Sequence, residues 1–317
     1  MRKADAVVLL LAGCLMAGLN SCRGGMKRLP PSSAQPFEVV LVGDSDSIIY
    51  KVLQADVPSL PQPEPMFDVR SIAPQADHGV WLMARTRIVV HVGKQYGFSV
   101  TGKKNRRANP QLELTITAPS PAALKAKLDS TALLRLLDNW ETDHLAQVIL
   151  PNVEKQNDVK AAFGIEMKIP ASMKASKQAK HFRWFSNNAS SGMQNLLVFQ
   201  LPDDTLSVES LSRMLRQNIP GEEDGMYMQI TTPDTTTANG ISRGLWEMKG
   251  DAMGGPYVLK ILPKHKASQA ATAVLGFVYA PEMRKRNLMK QLEAVLHTVE
   301  PYSGQTTNNI NNKHNGK

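Results

Sequence analysis

Cysteine is almost missing from this chain. Two of its 317 residues are cysteine, Cys14 and Cys22, and both stand near the N-terminus. No disulfide can therefore form within the rest of the chain, and the cysteine-based zinc spacings are excluded. The seven histidines are scattered and none follows another at i+4, so no metal site is expected. No glycine-rich phosphate loop is present, which argues against a nucleotide site, and no cofactor is expected. Beyond residue 22 there is no apolar run approaching the roughly 20 residues that a spanning helix needs. The remainder of the chain must be held by an ordinary hydrophobic core, and about 295 residues suffice for one large or two modest domains.

The N-terminus has a different character. Arg2 and Lys3 precede an apolar run from Ala6 to Leu19, and a run of that length suits a signal-peptide h-region better than a membrane span. It ends in Leu19-Asn20-Ser21-Cys22, which resembles a bacterial lipobox. A second such motif, Leu11-Ala12-Gly13-Cys14, leaves a very short h-region containing Asp5, so Cys22 is the expected lipidated residue and Cys14 the alternative. The resemblance implies a leader at 1–22, palmitate-type acylation and a membrane anchor. Cleavage removes Arg2, Lys3 and Asp5, which takes the net charge from +9 to +8. That excess suits contact with an anionic envelope lipid or glycan, or simply keeps the domain soluble; nucleic acid is not expected as a partner of an exported chain.

Residues 23–36 are rich in Gly, Pro, Ser and basic residues and read as a tether, and residues 303–317, rich in Asn, Thr and Lys, read as a disordered tail. Between them, short apolar runs at Val39–Val42, Ile88–Val92, Leu196–Phe199 and Ala273–Tyr279 predict buried strands. Alternation at Leu112–Thr117 and Phe163–Ile169 predicts strands with one wet face. Ser120-Pro121 is a helix start, and a second helix opens at Ser130 or Thr131, places Leu133, Leu137, Trp140, His144 and Val148 on one face, and stops at Pro151. Further helices are predicted over Ser207–Ile219 and Pro281–Val299. The expected class is α+β, with mixed or antiparallel sheets and packed helices, a first half at 37–152 and a second at 153–302. Ile48–Pro58 aligns with Ser210–Pro220, and Leu114–Pro119 with Gly276–Pro281, at one offset. Either an old duplication gave two related halves, or recurring stripes and runs look alike by chance.

Val39 to Ser47 runs from a strand into Gly43-Asp44-Ser45 and resembles the first block of the GDS-type esterases, which would make Ser45 a nucleophile. The family's Asp-x-x-His is absent downstream; His297, four residues after Glu293, is the remaining candidate base. The structural alternative has Asp44 or Ser45 capping the helix that runs to Ala55. His144, on an apolar stripe, reads as a core histidine. Lys103 to Arg107 reads as a solvated loop tip. Arg284-Lys285-Arg286 sits at the start of the last helix, where the macrodipole disfavours positive charge by about 0.3 to 1 kcal/mol, so Glu282 or a bound anion is expected beside it. Trp184, Trp246, Tyr227, Tyr257, Phe277 and Tyr279 could form a glycan platform, with core packing as the simpler use.

Several segments together resemble an uncharacterised lipoprotein family of Bacteroides-type bacteria. They are Leu60-Pro61-Gln62-Pro63-Glu64-Pro65-Met66-Phe67, Phe163-Gly164 with Ile169-Pro170, Met226-Tyr227-Met228, Arg243-Gly244-Leu245-Trp246, Met253-Gly254-Gly255-Pro256-Tyr257, and Gly276 to Pro281 with Lys285-Arg286. The resemblance runs from about Glu38 to Glu300 and implies a lipid-anchored envelope protein without an assigned activity. It directs attention to the second half, where Met253 to Pro256 reads as a tight turn. Arg243, Trp246 and Tyr257 beside that turn, with Arg284, Lys285 and Arg286, are the candidate binding residues. The expected role is non-catalytic binding or scaffolding of an envelope protein, glycan or lipid, in a periplasm-facing position, with a Ser45 hydrolase as the alternative.

Overall fold

The computed structural model describes residues 28–201, 208–233, 240–264 and 270–303. The residues expected to form the leader, with Cys14 and Cys22, and residues 304–317, expected to form the tail, lie outside the described residues. The fold is α+β, with one mostly parallel and one antiparallel sheet.

The first sheet has the order β2-β1-β3-β5-β4. Strands β1 (Glu38–Val42), β2 (Asp68–Ile72), β3 (Thr86–Val92) and β5 (Leu112–Ala118) are parallel, and β4 (Ser99–Lys104) closes one edge antiparallel to β5. Residues Val39–Val42 of β1 and Ile88–Val90 of β3 are apolar on both sides because both faces are covered there. Val39, Leu41, Ile88 and Ile116 pack under helices α1 (Ile48–Leu53), α2 (Pro121–Lys127) and α3 (Ser130–Val148), while Val40 and Val42 meet Ala34, Ala84 and Trp81. That second face has a thin cover made from the turns at Pro74–Ala76 and Gly79–Met83 and from the chain's own entry segment. Residues 30–36, expected to belong to a tether, are accordingly part of the fold. The Ser33 N–H donates to the Met83 carbonyl (2.9 Å), the Arg85 N–H to the Ser33 carbonyl (3.0 Å) and the Asn109 N–H to the Pro30 carbonyl (2.9 Å). Composition could not reveal that these backbone groups have partners.

Caps define the helices on the C-terminal side of that sheet. The Ser120 hydroxyl accepts from the Ala123 N–H, and Asp129, rather than Ser130, caps α3 by accepting from the Ala132 N–H. Asn152 starts α4 (Val153–Phe163), which Gly164 ends in the left-handed region at φ 65°. That helix consumes Phe163, so only β6 (Ile165–Glu166) of the strand expected over 163–169 exists, paired with β14 (Glu300–Pro301).

The second sheet is antiparallel throughout, in the order β10-β11-β12-β13-β9-β8-β7. Its strands are β7 (Ala175–Ala179), β8 (Phe182–Ser186), β9 (Met193–Gln200), β10 (Tyr227–Pro233), β11 (Ile241–Lys249), β12 (Gly254–Leu262) and β13 (Thr272–Tyr279). Helix α4 and helix α6 (Arg286–His297) cover one face through Val159, Phe163, Leu292 and Val295; helix α5 (Val208–Asn218) covers the other through Leu211 and Leu215. The segments that share an offset are of like type, helix with helix and strand with strand, but their sheets differ. One is mostly parallel with five strands and the other antiparallel with seven.

Met253 to Pro256 is not a turn. The β11–β12 connection turns at Gly250 (φ 91°), and Gly254, Gly255 and Pro256 pair as strand residues with Glu247, Trp246 and Leu245. Glycine is required at 255 because a Cβ there would lie 2.2 Å from the Val278 carbonyl oxygen. Backbone must move to admit it, so Gly255→Ala should lower stability by about 1 to 3 kcal/mol in a urea titration. An unchanged midpoint would show that this close approach is not needed.

Candidate functional site

The residues with the most chemistry gather where the two halves meet, at the end of the first sheet where its parallel strands begin. Glu64 lies in the proline-rich segment before β2 and is 7% exposed. Its carboxylate accepts from the backbone N–H groups of Lys285 (2.6 Å) and Arg286 (3.0 Å), capping α6 from the other half of the chain. The Arg286 guanidinium, 3% exposed, donates to the Pro65 carbonyl (2.8 Å) and bonds the Asp68 carboxylate, and Arg284 pairs with the same Asp68 at 3.3 Å. The basic triplet at the positive end of a helix dipole is thus stabilised by Glu64 and Asp68. Glu282 and a bound anion are not needed. The helix also begins later than Pro281: Glu282 has a φ of 61° and α6 starts at Arg286.

One turn further along α6, a second ionic group ties three elements together. Lys290 Nζ donates to Asp138 Oδ1 on α3 (2.6 Å) and to Glu293 Oε2 (2.9 Å), and Arg243 Nε on β11 donates to Glu293 Oε1 (2.9 Å). The Lys290 and Glu293 side chains are each 3% exposed. Burial alone would raise the Glu293 pKa, but the Lys290 and Arg243 charges overcome it and hold the carboxyl at about 2. For Lys290 burial pulls down, and Glu293 and Asp138 more than reverse it, so its pKa lies above the ordinary value. A third carboxylate, Glu141 of α3, is fully buried and accepts from Arg85 Nη2 (2.9 Å) and from the Phe37 N–H (3.2 Å) just before β1. The helix stripe expected through His144 and Val148 is therefore rotated. Glu141 and Thr142 are buried, while Val148 is 54% exposed and His144 only half-buried.

Three cavities border this seam. The first, about 350 Å³, is apolar, with Leu145, Val148, Ile149, Pro170, Met173, Leu292 and Val295 in its walls. Gln194 also lines it, but its amide donates to the Gln291 side-chain oxygen (3.0 Å) and the Leu288 carbonyl (3.0 Å). A polar cleft of about 440 Å³ is lined by Gln156, Lys160, Glu166, Lys168, His297 and Glu300, and His297 also borders a pocket of about 290 Å³ with Asn139, Asp143 and Lys260. Burial lowers the His297 pKa, which favours the neutral, proton-accepting imidazole. Lys168 and Lys260 are spent on helix ends: Lys168 Nζ donates to the Ala146 and Gln147 carbonyls at the end of α3, and Lys260 Nζ to those of Leu296 and Val299 at the end of α6.

The sequence candidates divide among these places. Arg284, Lys285, Arg286 and Arg243 are at the seam, tied to Asp68, Glu64 and Glu293. Trp246 and Tyr257 are not a surface: each is 3% exposed, in the core under α5, with Trp246 edge-on to Phe277 at 5.0 Å and its Nε1 donating to the Val278 carbonyl. Arg243 and Trp246 cannot form one patch because they are an odd number of residues apart on β11 and face opposite sides of the sheet. Trp184 and Phe277 likewise pack on each other, 6.4 Å between centroids. Ser45 lies past the carboxyl end of β1, whereas His297 lines the two polar pockets, neither of which Ser45 lines. The Ser45 hydroxyl donates to Asp46 (3.2 Å), and Asp44 caps α1 by accepting from the Ile48 (3.1 Å) and Tyr50 (2.8 Å) N–H groups. Lys103 and Lys104 belong to β4, and Lys104 lies over the Trp140 ring at 5.4 Å. Among the described residues no group of three His, Cys, Asp or Glu side chains is arranged to hold a metal ion. Glu64, Asp68, Asp138 and Glu141 were missed by sequence reasoning, although Glu64 lies inside the Leu60–Phe67 motif.

Two families match the chain, and their border falls between its first and second halves. The family described as Domain of unknown function (DUF8532) matches residues 32–149, and Domain of unknown function (DUF4837) matches residues 152–298. No curated protein matches.

Proposed function

We propose that the chain is an envelope lipoprotein of Bacteroides type, anchored through acyl groups on Cys22, that acts by binding rather than by catalysis. The support for the anchor is the leader: a basic start, one apolar run, and both cysteines at lipobox-like positions within the first 22 residues. The observation that carries the binding reading is the apolar cavity at the seam. Both halves build it, and the buried ionic group of the seam, Arg243, Lys290, Glu293 and Asp138, neutralises itself instead of standing ready for proton transfer. Its candidate partners are a neighbouring envelope protein or an anionic lipid or glycan, in keeping with the excess of basic residues.

Feeding cells an alkynyl palmitate tests the anchor. The wild type and Cys14→Ala should carry the label and Cys22→Ala should lose it. Label retained by Cys22→Ala and lost by Cys14→Ala would move the anchor, and no label on any of them would remove it.

A further inference from the structure

We propose that the seam cavity binds lipid, taking one acyl chain of a phospholipid from the membrane that carries the anchor. The source of that lipid rests on the anchoring reading; the site itself rests on the seam.

The walls of the cavity are methyl and methylene groups from Leu145, Ile149, Met173, Leu292 and Val295. The polar capacity of Gln194 is turned to Gln291 and Leu288, so it does not require a polar ligand. A volume of about 350 Å³ is within the range of small-molecule sites, and an apolar pocket of this kind selects for an apolar ligand.

The rim is apolar too, and it faces water. Val148, the last residue of α3, is 54% exposed and Leu150, in the connection to α4, is 77% exposed, and both line the cavity; Val153, the first residue of α4, is 61% exposed. Exposed aliphatic side chains at the mouth of an apolar pocket mark a surface that is covered in use. Basic groups flank it: Lys168 at the last carbonyls of α3, and exposed Lys174 next to Met173. Apolar surface bordered by lysines complements a phospholipid, whose chains are apolar and whose anionic headgroups lie one layer above.

The position of the rim relative to the anchor favours a membrane over a protein. The chain joins the fold at Pro30 and Ser33, which bond to Asn109 and Met83 just ahead of β5 and β3. Helix α3 passes the same end of the sheet, with Glu141 bonded to Arg85 and the Phe37 N–H there and Val148 beyond it at the cavity. The stretch from Cys22 to Pro30 reaches at most about 29 Å when fully extended. An acylated Cys22 therefore holds the end of the sheet at which α3 runs on to the cavity within about 29 Å of the bilayer.

Native mass spectrometry of the protein recovered from cell membranes in mild detergent reads both features at once, acylation of Cys22 from the covalent mass and the bound lipid from adducts lost on activation. The wild type should carry one phospholipid. Ser172→Trp, which brings an indole to the mouth from an exposed position, should reduce that occupancy roughly tenfold. Leu150→Asp should do the same while changing only an exposed rim side chain, so the reduction cannot be put down to a damaged core. Absence of a lipid adduct on the wild type, occupancy in both variants equal to that of the wild type, or a bound peptide in place of lipid would overturn the proposal. A lipid adduct on a chain whose Cys22 is unmodified would support the cavity and overturn the anchoring reading alone.

Discussion

Glu64→Ala should lower the stability of the folded chain by about 3 kcal/mol, although the residue lies in an irregular segment and belongs to no helix or strand. Its carboxylate is the acceptor for two backbone N–H groups at the start of α6, 221 and 222 residues away in sequence, and it is nearly excluded from water. Deleting it leaves two helix-terminal donors buried without an acceptor and removes the charge that offsets Lys285 and Arg286. Losses of this kind exceed those of a surface change, which stay within about 0.5 kcal/mol. For a domain of 150 to 250 residues the expected fall in melting temperature is about 6 to 12 °C. Glu64→Gln keeps one acceptor oxygen and should fall between alanine and wild type. A melting temperature for Glu64→Ala within a degree or so of wild type would mean that the seam is not held by this cap.

Lys290→Met should cost more, about 3 to 5 kcal/mol, because it leaves Glu293 and Asp138 with one buried or half-buried cation, Arg243, where two stood. Replacing Lys290 and Glu293 together by apolar residues of similar size should recover part of that loss, since one charge of each sign leaves and the two that remain, Arg243 and Asp138, are the more exposed members of the group. The same group has a pH signature. The Glu293 pKa falls from 4.5 to about 2 on folding, a depressed carboxyl, so its contribution is complete above pH 4.5 and is lost as the pH falls toward 2. At about 1.4 kcal/mol for each tenfold change in the acidity constant, that amounts to about 3 kcal/mol. Urea titrations between pH 5 and pH 2 should show the wild type losing more stability than Glu293→Gln. Parallel curves for the two proteins would contradict the assignment of a buried, ionised Glu293.

Much of the framework was legible in the sequence because the signals that build it are local. Val39–Val42 and Ile88–Val90 are continuous apolar runs because their strands are covered on both faces there, and Ser120-Pro121 marks a helix start whatever lies beyond it. The failures share a cause: each depends on a partner far along the chain. Glu113 sits in an alternating strand and was expected to be wet, yet it is 4% exposed because Arg87 and Arg106 reach it. Glu141 is buried in place of the aromatic face of α3 because Arg85 and the Phe37 N–H await it. The basic triplet at 284–286 was recognisable as electrostatically out of place, but the acid that resolves it lies in a proline-rich segment with no periodicity. The opposed directions of Arg243 and Trp246, in contrast, follow from strand alternation and were available once β11 was read as a strand.

The proposed anchor on Cys22 is the premise on which the proposed envelope location and lipid source both depend, and the mass of the N-terminal peptide tests it most directly. Chain recovered from membranes and digested should yield a peptide that begins at Cys22 and carries covalent acyl groups. A peptide that begins at Met1, or one that begins at Cys22 without acyl mass, would contradict the account.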